Sequence, residues 1–297
     1  MSSSAATASP SLRTRQLLAD YVDLTKPKVQ SLLLLTTVTT MEVAGSPPAW
    51  KIAACCLGGY LSAGGAGAVN HYWDRDIDAG MRRTASRPIP AGRVSPRAAL
   101  VFGVTLAGLS FVLMSTTLNL LAASLALAGF AGYVGVYTIW LKRRTPHNIV
   151  IGGAAGAVPP LVGWAATRGS LSWTAVYLFA IVFYWTPPHF WALSLLMKDE
   201  YAKVGVPMMP VVRGEHETRR QILLYSLLLY AVTQLPFCAG AFGIAYLAGS
   251  MLLGLVFIGG AVRLYLVADR RAALWLYLYS LLYLALLFCA MVADKHL

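Results

Sequence analysis

Long apolar segments follow one another along almost the whole chain, and short polar loops separate them. A membrane-spanning helix needs about 20 predominantly apolar residues. Nine segments approach or reach that length, at residues 29–48, 51–71, 97–116, 119–140, 148–167, 172–193, 221–243, 246–268 and 272–292. The pattern therefore predicts an all-α polytopic membrane protein with nine transmembrane helices.

The composition supports a bilayer environment. Of the 297 residues, 58% are hydrophobic and 12% are charged, whereas about a quarter of the residues in a soluble domain are charged. The four cysteines lie in apolar segments without a CxxC motif, so neither a disulfide framework nor a zinc site is indicated. The N-terminal segment is rich in Ser and Ala. We expect a disordered tail over residues 1–19 and a single transmembrane domain at 20–297.

Lysine and arginine are unevenly distributed between the loops. If the segments alternate across the membrane, 21 of the 24 basic residues fall on one side, and only Lys51, Arg168 and Lys295 fall on the other. The positive-inside rule then places the N-terminus in the cytoplasm and the C-terminus outside. The net charge of +12 does not indicate a nucleic-acid partner, because the charges lie in short loops between apolar segments.

The acidic residues are concentrated in two loops. Seven of the twelve Asp and Glu residues lie at 71–97 and 198–220, which are also the longest loops and share the predicted cytoplasmic side. A faint internal repeat links them, because Pro27 and Pro146 are 119 residues apart, as are Asn70 and His189. This offset hints at two four-helix halves followed by a ninth helix. We expect the residues that carry out the protein's reaction to lie in these two loops.

The first loop contains a regular set of oxygen ligands. Asn70, Asp74 and Asp78 are spaced at i, i+4 and i+8, which places them on one face of a helix. Two carboxylates so close repel each other, and oxygen ligands at this spacing suit a hard cation such as Mg²⁺. Four arginines with geometry suited to phosphate oxygens follow, at Arg75, Arg82, Arg83 and Arg87. The alternative is a solvated loop in which the Asp and Arg residues pair with one another.

These residues and several others resemble the UbiA-type intramembrane prenyltransferase superfamily. Its NxxxDxxxD signature is met by Asn70, Asp74 and Asp78. The sequence is more narrowly similar to the branch that attaches a farnesyl group to haem. The likeness runs from about residue 20 to 290, and its further motifs lie at 23–28, 83–84, 87–88, 137–138, 141–143, 145–153, 159–164, 187–193 and 205–210.

The resemblance implies a nine-helix prenyltransferase bundle that transfers a farnesyl group to haem. Haem b, farnesyl diphosphate and water would give haem O and diphosphate, with Mg²⁺ as cofactor and Mn²⁺ as a substitute. The implied catalytic residues are Asn70, Asp74, Asp78 and Arg75. Diphosphate would be bound by Arg82, Arg83, Arg87, Lys142, Arg143 and Lys198.

One departure concerns the second acidic motif. Many superfamily members have a second DxxxD after the sixth helix, whereas this chain has the adjacent pair Asp199 and Glu200. Adjacent residues point about 100° apart on a helix, so both are poorly placed to bind one ion. The resemblance nevertheless implies that Asp199 and Glu200 are candidate metal ligands. The missing motif argues against a related enzyme that prenylates a quinone precursor or a chlorophyll-type ring. A transporter, the other alternative, would place its ionisable residues near mid-membrane.

The remaining expectations concern haem and the cellular setting. His189 is a candidate haem contact, because histidine is a natural ligand of haem iron; the alternative is a buried structural histidine. His71 and His147 are weaker candidates.

The proline pairs at 159–160 and 187–188 are expected to break the fifth and sixth helices. We expect a bacterial inner membrane, or alternatively the mitochondrial one, with haem A synthase or oxidase assembly proteins as partners.

Overall fold

The computed structural model describes residues 10–297, and helices make up the regular secondary structure of this part of the chain. A π-helical segment at Gly132–Leu141 directly follows the helix that ends at Ala131. The all-α prediction is confirmed for the described residues. In chain order the α-helices are α1 (Pro10–Leu24), α2 (Pro27–Gly45), α3 (Ala49–Trp73), α4 (Arg75–Gly80), α5 (Pro96–Thr117), α6 (Leu120–Ala131), α7 (Asn148–Gly156), α8 (Val158–Arg168), α9 (Trp173–Leu196), α10 (Lys198–Lys203), α11 (Met209–Val212), α12 (Gly214–Cys238), α13 (Ile244–Val267) and α14 (Arg270–Lys295).

Each predicted span coincides with one long helix or with two consecutive helical segments. The predicted first and sixth spans correspond to α2 and α9, which have 19 and 24 residues. The full number of spans and the orientation of the termini stay predictions. Within residues 10–297, seven helical units are long and apolar enough to cross a membrane: Ala49–Trp73, Pro96–Thr117, Leu120–Leu141, Asn148–Arg168, Gly214–Cys238, Ile244–Val267 and Arg270–Lys295.

The two proline pairs behave differently. The fifth predicted span is interrupted as expected, because α7 ends at Gly156 and α8 begins at Val158, immediately before the first pair. Pro187 and Pro188 instead lie inside the continuous helix α9, so the predicted break is wrong there. Neighbouring helices can accommodate proline within a membrane helix, and here both prolines are buried against them.

The N-terminal helix α1 packs against the rest of the bundle. Asp20 forms a salt bridge with Arg93 at 2.9 Å, Leu24 is fully buried, and the ring of Tyr21 meets that of Phe102 edge-on at 4.8 Å. Residues 10–19, expected to be disordered, are helical as the first part of α1, and these long-range contacts come from its last five residues. Residues 1–9 of the predicted tail lie outside the described residues.

Small residues allow close contact between α3 and α5. A Cβ atom on Gly65 would lie 2.5 Å from the backbone oxygen of Gly103, and one on Gly103 would lie 2.7 Å from the oxygen of Gly65. The hydroxyl of Ser110 also donates a hydrogen bond to the carbonyl of Gly58 across the same contact, at 2.7 Å. The hydrophobic effect contributes little to association between helices within a membrane. Close backbone packing of this kind is therefore a main contribution to helix–helix association.

The two ends of the bundle differ in chemistry. At the end of α14, Lys295 donates hydrogen bonds to the carbonyls of Glu42 and Val43, at 2.8 and 2.6 Å. Beside it, Asp294 accepts from two backbone amides at the start of α13, at 2.6 and 2.9 Å. We call the end of the bundle that contains Asp294 and Lys295 the far end. Lys26 lies at the opposite end of α2, which we call the site end, so the C-terminus and the start of α2 are on opposite faces.

We expect Gly103→Ala to destabilise the protein. Its new Cβ would lie 2.7 Å from the carbonyl oxygen of Gly65 and 2.8 Å from a methyl group of Val69, and overpacking of this kind costs about 1–3 kcal/mol. Thermal unfolding in detergent measures the effect. Gly108→Ala in the same helix is the control, because nothing lies within 4 Å of its Cβ. Equal melting temperatures for both variants would show that the close contact is dispensable.

Candidate functional site

Asn70, Asp74 and Asp78 lie where α3 passes into α4. Although the two helices are divided at Asp74, its amide donates to the carbonyl of Asn70 at 2.9 Å, and the amide of Asp78 donates to that of Asp74 at 2.8 Å. The i→i+4 pattern thus continues across the junction, and the three side chains share one face, as their spacing predicts. All three residues are at most 3% exposed.

Three cations from other segments of the chain surround this face, two of them distant in sequence. Lys142 forms an ion pair with Asp74, and Arg87 donates to both carboxylate oxygens of Asp78, at 2.8 and 2.7 Å. Lys26 donates to the amide oxygen of Asn70 at 2.6 Å. Acids and bases do pair here, but the pairs are buried rather than solvated. We call this set the polar cluster: Lys26, Asn70, Asp74, Asp78, Arg87 and Lys142.

Lys26 occupies the short connection between α1 and α2. Its backbone is left-handed, with φ 55° and ψ 56°, which is uncommon for a residue other than glycine. The ammonium group also lies 5.9 Å from the centroid of the Tyr133 ring. Burial lowers the pKa of Lys26 to about 7, and the charges of Arg87 and Lys142 act in the same direction. An anion added to the cluster would favour the charged form of Lys26.

Lys142 is positioned by the π-helical segment that precedes it. Its amide donates to the carbonyl of Tyr137 at 2.9 Å, which is an i→i+5 hydrogen bond. In the same segment, the hydroxyl of Thr138 accepts a hydrogen bond from the Asn70 side chain at 3.2 Å. π-Helical turns occur frequently at functional sites.

No role for Lys26 or Thr138 was inferred from the sequence, although both contact Asn70. Both stand in motifs that carry the family resemblance, at 23–28 and 137–138. That resemblance was the available signal, since neither residue is close to Asn70 along the chain.

Outside the polar cluster, Arg143 binds Asp76 through two hydrogen bonds of 2.7 Å. Arg143 also donates to the carbonyl of Trp73 at 3.0 Å and lies 3.7 Å from Asp74. The hydrogen bonds from Arg143 lower the pKa of Asp76 to about 2, and Asp76 raises the pKa of Arg143 in return. Arg143 therefore ties the surface of α4 to the end of the π-helical segment.

The other predicted cations are farther from the carboxylates. Arg75 is exposed, donates to the carbonyl of Tyr72 at 2.7 Å and stacks over the Tyr72 ring at 4.8 Å. The side chains of Arg82 and Arg83 are also exposed, and Lys198 pairs with Glu215 at 2.9 Å. The structure thus brings Arg87 and Lys142 to the carboxylates, whereas it directs Arg75 away from them.

The second loop packs against the first through apolar side chains. Ile77 and Met81 share a buried cluster with Tyr201, and Glu200 accepts a hydrogen bond from the backbone amide of Arg83 at 3.5 Å. The two acidic loops therefore lie on the same end of the bundle. Asp199, by contrast, is exposed. Within residues 10–297, no three His, Cys, Asp or Glu side chains gather in a metal-binding arrangement.

The donor set of the first loop does fit a hard cation. Asp74 and Asp78 supply carboxylate oxygens and Asn70 an amide oxygen, which are ligands that Mg²⁺ accepts. One oxygen of Asp74 is buried and has no hydrogen-bond partner among the described residues. A buried acceptor without a partner costs about 1–3 kcal/mol, and a cation would satisfy it. Asp199 and Glu200 show no comparable feature.

His189 lies in α9 inside an aromatic layer. Its Nδ1 atom is 2.7 Å from the hydroxyl of Ser280, and its ring stacks between Trp185 at 4.3 Å and Tyr277 at 5.0 Å. These contacts resemble those of a satisfied structural histidine, and contact with haem stays a prediction. His71 is also buried, and neither of its ring nitrogens has a hydrogen-bond partner in the described part of the chain.

A helical bundle with acids and bases clustered at one end is the architecture of intramembrane prenyltransferases. Residues 32–287 match the UbiA prenyltransferase family, and the chain belongs to that family. The fold is also similar to a structure of a digeranylgeranylglyceryl phosphate synthase, with a TM-score of 0.77 and 19% identity over 94% of this chain and 98% of the other. A UbiA homolog from Archaeoglobus fulgidus, bound to DMAPP and Mg²⁺, has a TM-score of 0.68 and 15% identity over 92% and 99% of the two chains.

Within the family, the chain is similar to proteins named protoheme IX farnesyltransferase. That of Chloroflexus aurantiacus is 54% identical over 296 residues, which are 98% of this chain and 50% of the relative. That of Symbiobacterium thermophilum is 52% identical over 289 residues, 95% of this chain and 96% of the relative. The chain thus spans about half the length of the first relative and nearly all of the second. The family resemblance inferred from the sequence motifs is confirmed.

We expect Arg87→Met to destabilise the protein by roughly 3 kcal/mol, because it leaves the buried Asp78 carboxylate without its cation. Adding Asp78→Asn to this variant should recover most of the loss. Thermal unfolding without divalent cations or diphosphate measures both effects. The exposed Arg75→Met is the matched control and should change stability by less than about 1 kcal/mol. Similar losses for Arg75→Met and Arg87→Met would contradict the importance of the buried pair.

Proposed function

We propose that this chain transfers the farnesyl group of farnesyl diphosphate to a vinyl group of haem b, which gives haem O and diphosphate. The observation that carries the proposal is the polar cluster, where three cations and two carboxylates converge at one end of an apolar bundle. The named relatives, which align with 98% and 95% of this chain, support haem as the acceptor.

The cations of the polar cluster are suited to the diphosphate group. The cluster itself holds the side chains of Lys26, Arg87 and Lys142 in place. These cations therefore need to move little when an anion binds. Cations farther out would attract the diphosphate and contact its outer oxygens. These are Arg82, Arg83, Arg143 and Lys198.

Asn70, Asp74 and Asp78 would hold Mg²⁺, and Mn²⁺, which also suits oxygen ligands, would substitute for it. When bound, the cation would neutralise negative charge on the departing diphosphate. The homolog from Archaeoglobus fulgidus bound to DMAPP and Mg²⁺ supports this assignment. Asp199 and Glu200 are the proposed ligands of a second ion. Glu200 has the better position of the two, because it reaches the backbone of the first loop.

The chemistry needs no strong protein base to activate the acceptor. The bond between C1 of the farnesyl group and the diphosphate oxygen breaks, and its electron pair leaves with the diphosphate. The π electrons of the haem vinyl group then form the new carbon–carbon bond to the allylic carbon. Water adds to the resulting cation and loses a proton, which gives a hydroxyethylfarnesyl side chain. The role of the polar cluster is to stabilise the charge that develops on the diphosphate.

The bilayer would supply both the site of action and the route for the substrates. We place the site end at the cytoplasmic face of a bacterial inner membrane, because the basic residues of the loops are concentrated there. The bacterial relatives support this location over a mitochondrial one. The farnesyl chain would lie among the apolar helices. Haem A synthase or oxidase assembly proteins would receive the product.

The protein in lipid nanodiscs, supplied with farnesyl diphosphate, Mg²⁺ and haem b, should form haem O, identified by its mass. We expect Asp74→Asn and Asp78→Asn to reduce turnover by about 100-fold or more, because charge stabilisation of this kind is worth roughly that factor. Arg75→Gln should stay close to the wild type, since its side chain points to solvent. Normal turnover in both Asp variants, or transfer only to a quinone precursor, would overturn the proposal.

A second pair of variants tests the role of His189. Because Ser280 occupies Nδ1, haem could be bound only through Nε2. We expect His189→Asn to lower the melting temperature and to weaken haem and farnesyl diphosphate binding alike, since its stacking with Trp185 and Tyr277 is lost. Ser280→Ala removes the hydrogen bond but keeps the ring. A loss of haem binding in His189→Asn alone, with farnesyl diphosphate binding intact, would instead establish a haem contact.

A further inference from the structure

The loop between α4 and α5 presents Arg87 to the polar cluster. Within residues 81–95, which we call the arginine loop, backbone hydrogen bonds close successive turns. The amide of Arg87 donates to the carbonyl of Thr84 at 3.0 Å, and the amide of Arg93 donates to that of Pro88 at 2.9 Å. The position of Arg87 therefore depends on what holds this loop against the bundle.

Asp20 of α1 holds the arginine loop from outside the polar cluster. Its carboxylate accepts a hydrogen bond from Nε of Arg93 at 2.9 Å, and the same guanidinium donates to the carbonyl of Ser86 at 3.1 Å. Ser86 immediately precedes Arg87 in the chain. Arg93 thus joins a carboxylate of the N-terminal helix to the backbone that presents Arg87.

The burial of Asp20 indicates that this contact has a purpose. Asp20 is 3% exposed, whereas Asp23, three residues later in α1, is exposed, and its carboxylate has no hydrogen bond or ion pair among the described residues. Leu24, Ile89 and Val94 already pack α1 and the arginine loop together in one apolar cluster. A buried ion pair adds little stability to such packing. Its hydrogen bonds do, however, fix a direction, which apolar contacts leave less defined.

The helix α1 also leads into the connection that carries Lys26. Lys26 and Arg87 both reach the polar cluster, and their like charges repel each other there. The pair formed by Asp20 and Arg93 joins the segments that carry these two cations. It therefore opposes their separation without adding a further charge to the cluster itself.

This attachment becomes more important when the site is loaded. In the structure, Arg87 is held by both carboxylate oxygens of Asp78, at 2.8 and 2.7 Å. Asp78 is also a proposed ligand of Mg²⁺, so Arg87 would share these oxygens with the metal ion. The hydrogen bonds of Arg93 involve none of the proposed metal ligands. They can therefore hold the arginine loop in place while the side chain of Arg87 turns toward the diphosphate.

We propose that Asp20 is a positioning residue for diphosphate binding, which acts through Arg93 to hold Arg87 at the polar cluster. The inference rests on the proposed function, in which Arg87 binds the diphosphate of the prenyl donor. Asp20 itself makes no contact with the substrate. Its role is to reduce the rearrangement that binding requires, and such preorganisation contributes mainly to affinity.

The test measures the binding of farnesyl diphosphate with Mg²⁺, in the absence of haem, by titration calorimetry in lipid nanodiscs. Asp20→Ala and Arg93→Gln should each weaken binding by about tenfold, within the range for residues that act through a network of contacts. The double variant should bind no more weakly than either single variant, because both changes break the same pair. Asp23→Ala, in the same helix, is the matched control and should bind as the wild type does.

A further variant separates positioning from a general effect on the fold. In an Arg87→Gln background the group to be positioned is absent, so Asp20→Ala should weaken binding no further. The new amide can still donate to Asp78, which favours folding. If this background nevertheless cannot be purified, the cycle between Asp20→Ala and Arg93→Gln decides alone, and additive losses would contradict the proposal. With haem b supplied, Asp20→Ala should raise KM for farnesyl diphosphate and leave kcat within about twofold of the wild type.

Three results would overturn the proposal. Wild-type affinity in Asp20→Ala would show that the apolar cluster alone holds the arginine loop. Equal weakening by Asp23→Ala would reduce the effect to the charge of α1. A further loss from Asp20→Ala in the Arg87→Gln background would show that Asp20 does not act through Arg87. A wild type that binds no farnesyl diphosphate would remove the proposed function together with this inference, whereas the other three results would leave the proposed function intact.

Discussion

Two carboxylates, Asp74 and Asp78, are buried where an apolar bundle meets its surroundings, and much of the architecture follows from that fact. Removing an ion from water costs several kcal/mol even after the protein relaxes. Each carboxylate must therefore find a partner, and the partners Lys142 and Arg87 come from other segments. The ion pairs consequently fix the π-helical segment and the loop after α4 against α3. A site built in this way already has its charges oriented before a substrate arrives.

The two ends of the bundle use their charged residues differently. At the site end, the polar cluster concentrates charge beside α3. Apolar contacts between Ile77, Met81 and Tyr201 hold the two acidic loops together above this region. At the far end, Asp294 and Lys295 instead cap neighbouring helices.

Properties that depend on local sequence were predictable. The helices follow from the lengths of the apolar segments, and the shared face of Asn70, Asp74 and Asp78 follows from their spacing of four. Properties that depend on tertiary contact were not. Arg75 is next to Asp74 in sequence, yet neighbouring positions diverge by about 100° on a helix, and its side chain points outward. Lys26 is distant in sequence and reaches Asn70 only because α2 folds beside α3.

The π-helical segment gives this site an unusual relation to insertions and deletions. An i→i+5 hydrogen bond encloses one more residue than the i→i+4 bond of an α-helix. A single deletion within Gly132–Leu141 could be absorbed by a return to regular helix, without a break in the span. The residue lost would be the extra one that the wider turns enclose, so Lys142 would keep nearly its present direction. A single deletion in the preceding regular helix α6 is not absorbed in this way, and it would turn Lys142 by about 100°, away from Asp74.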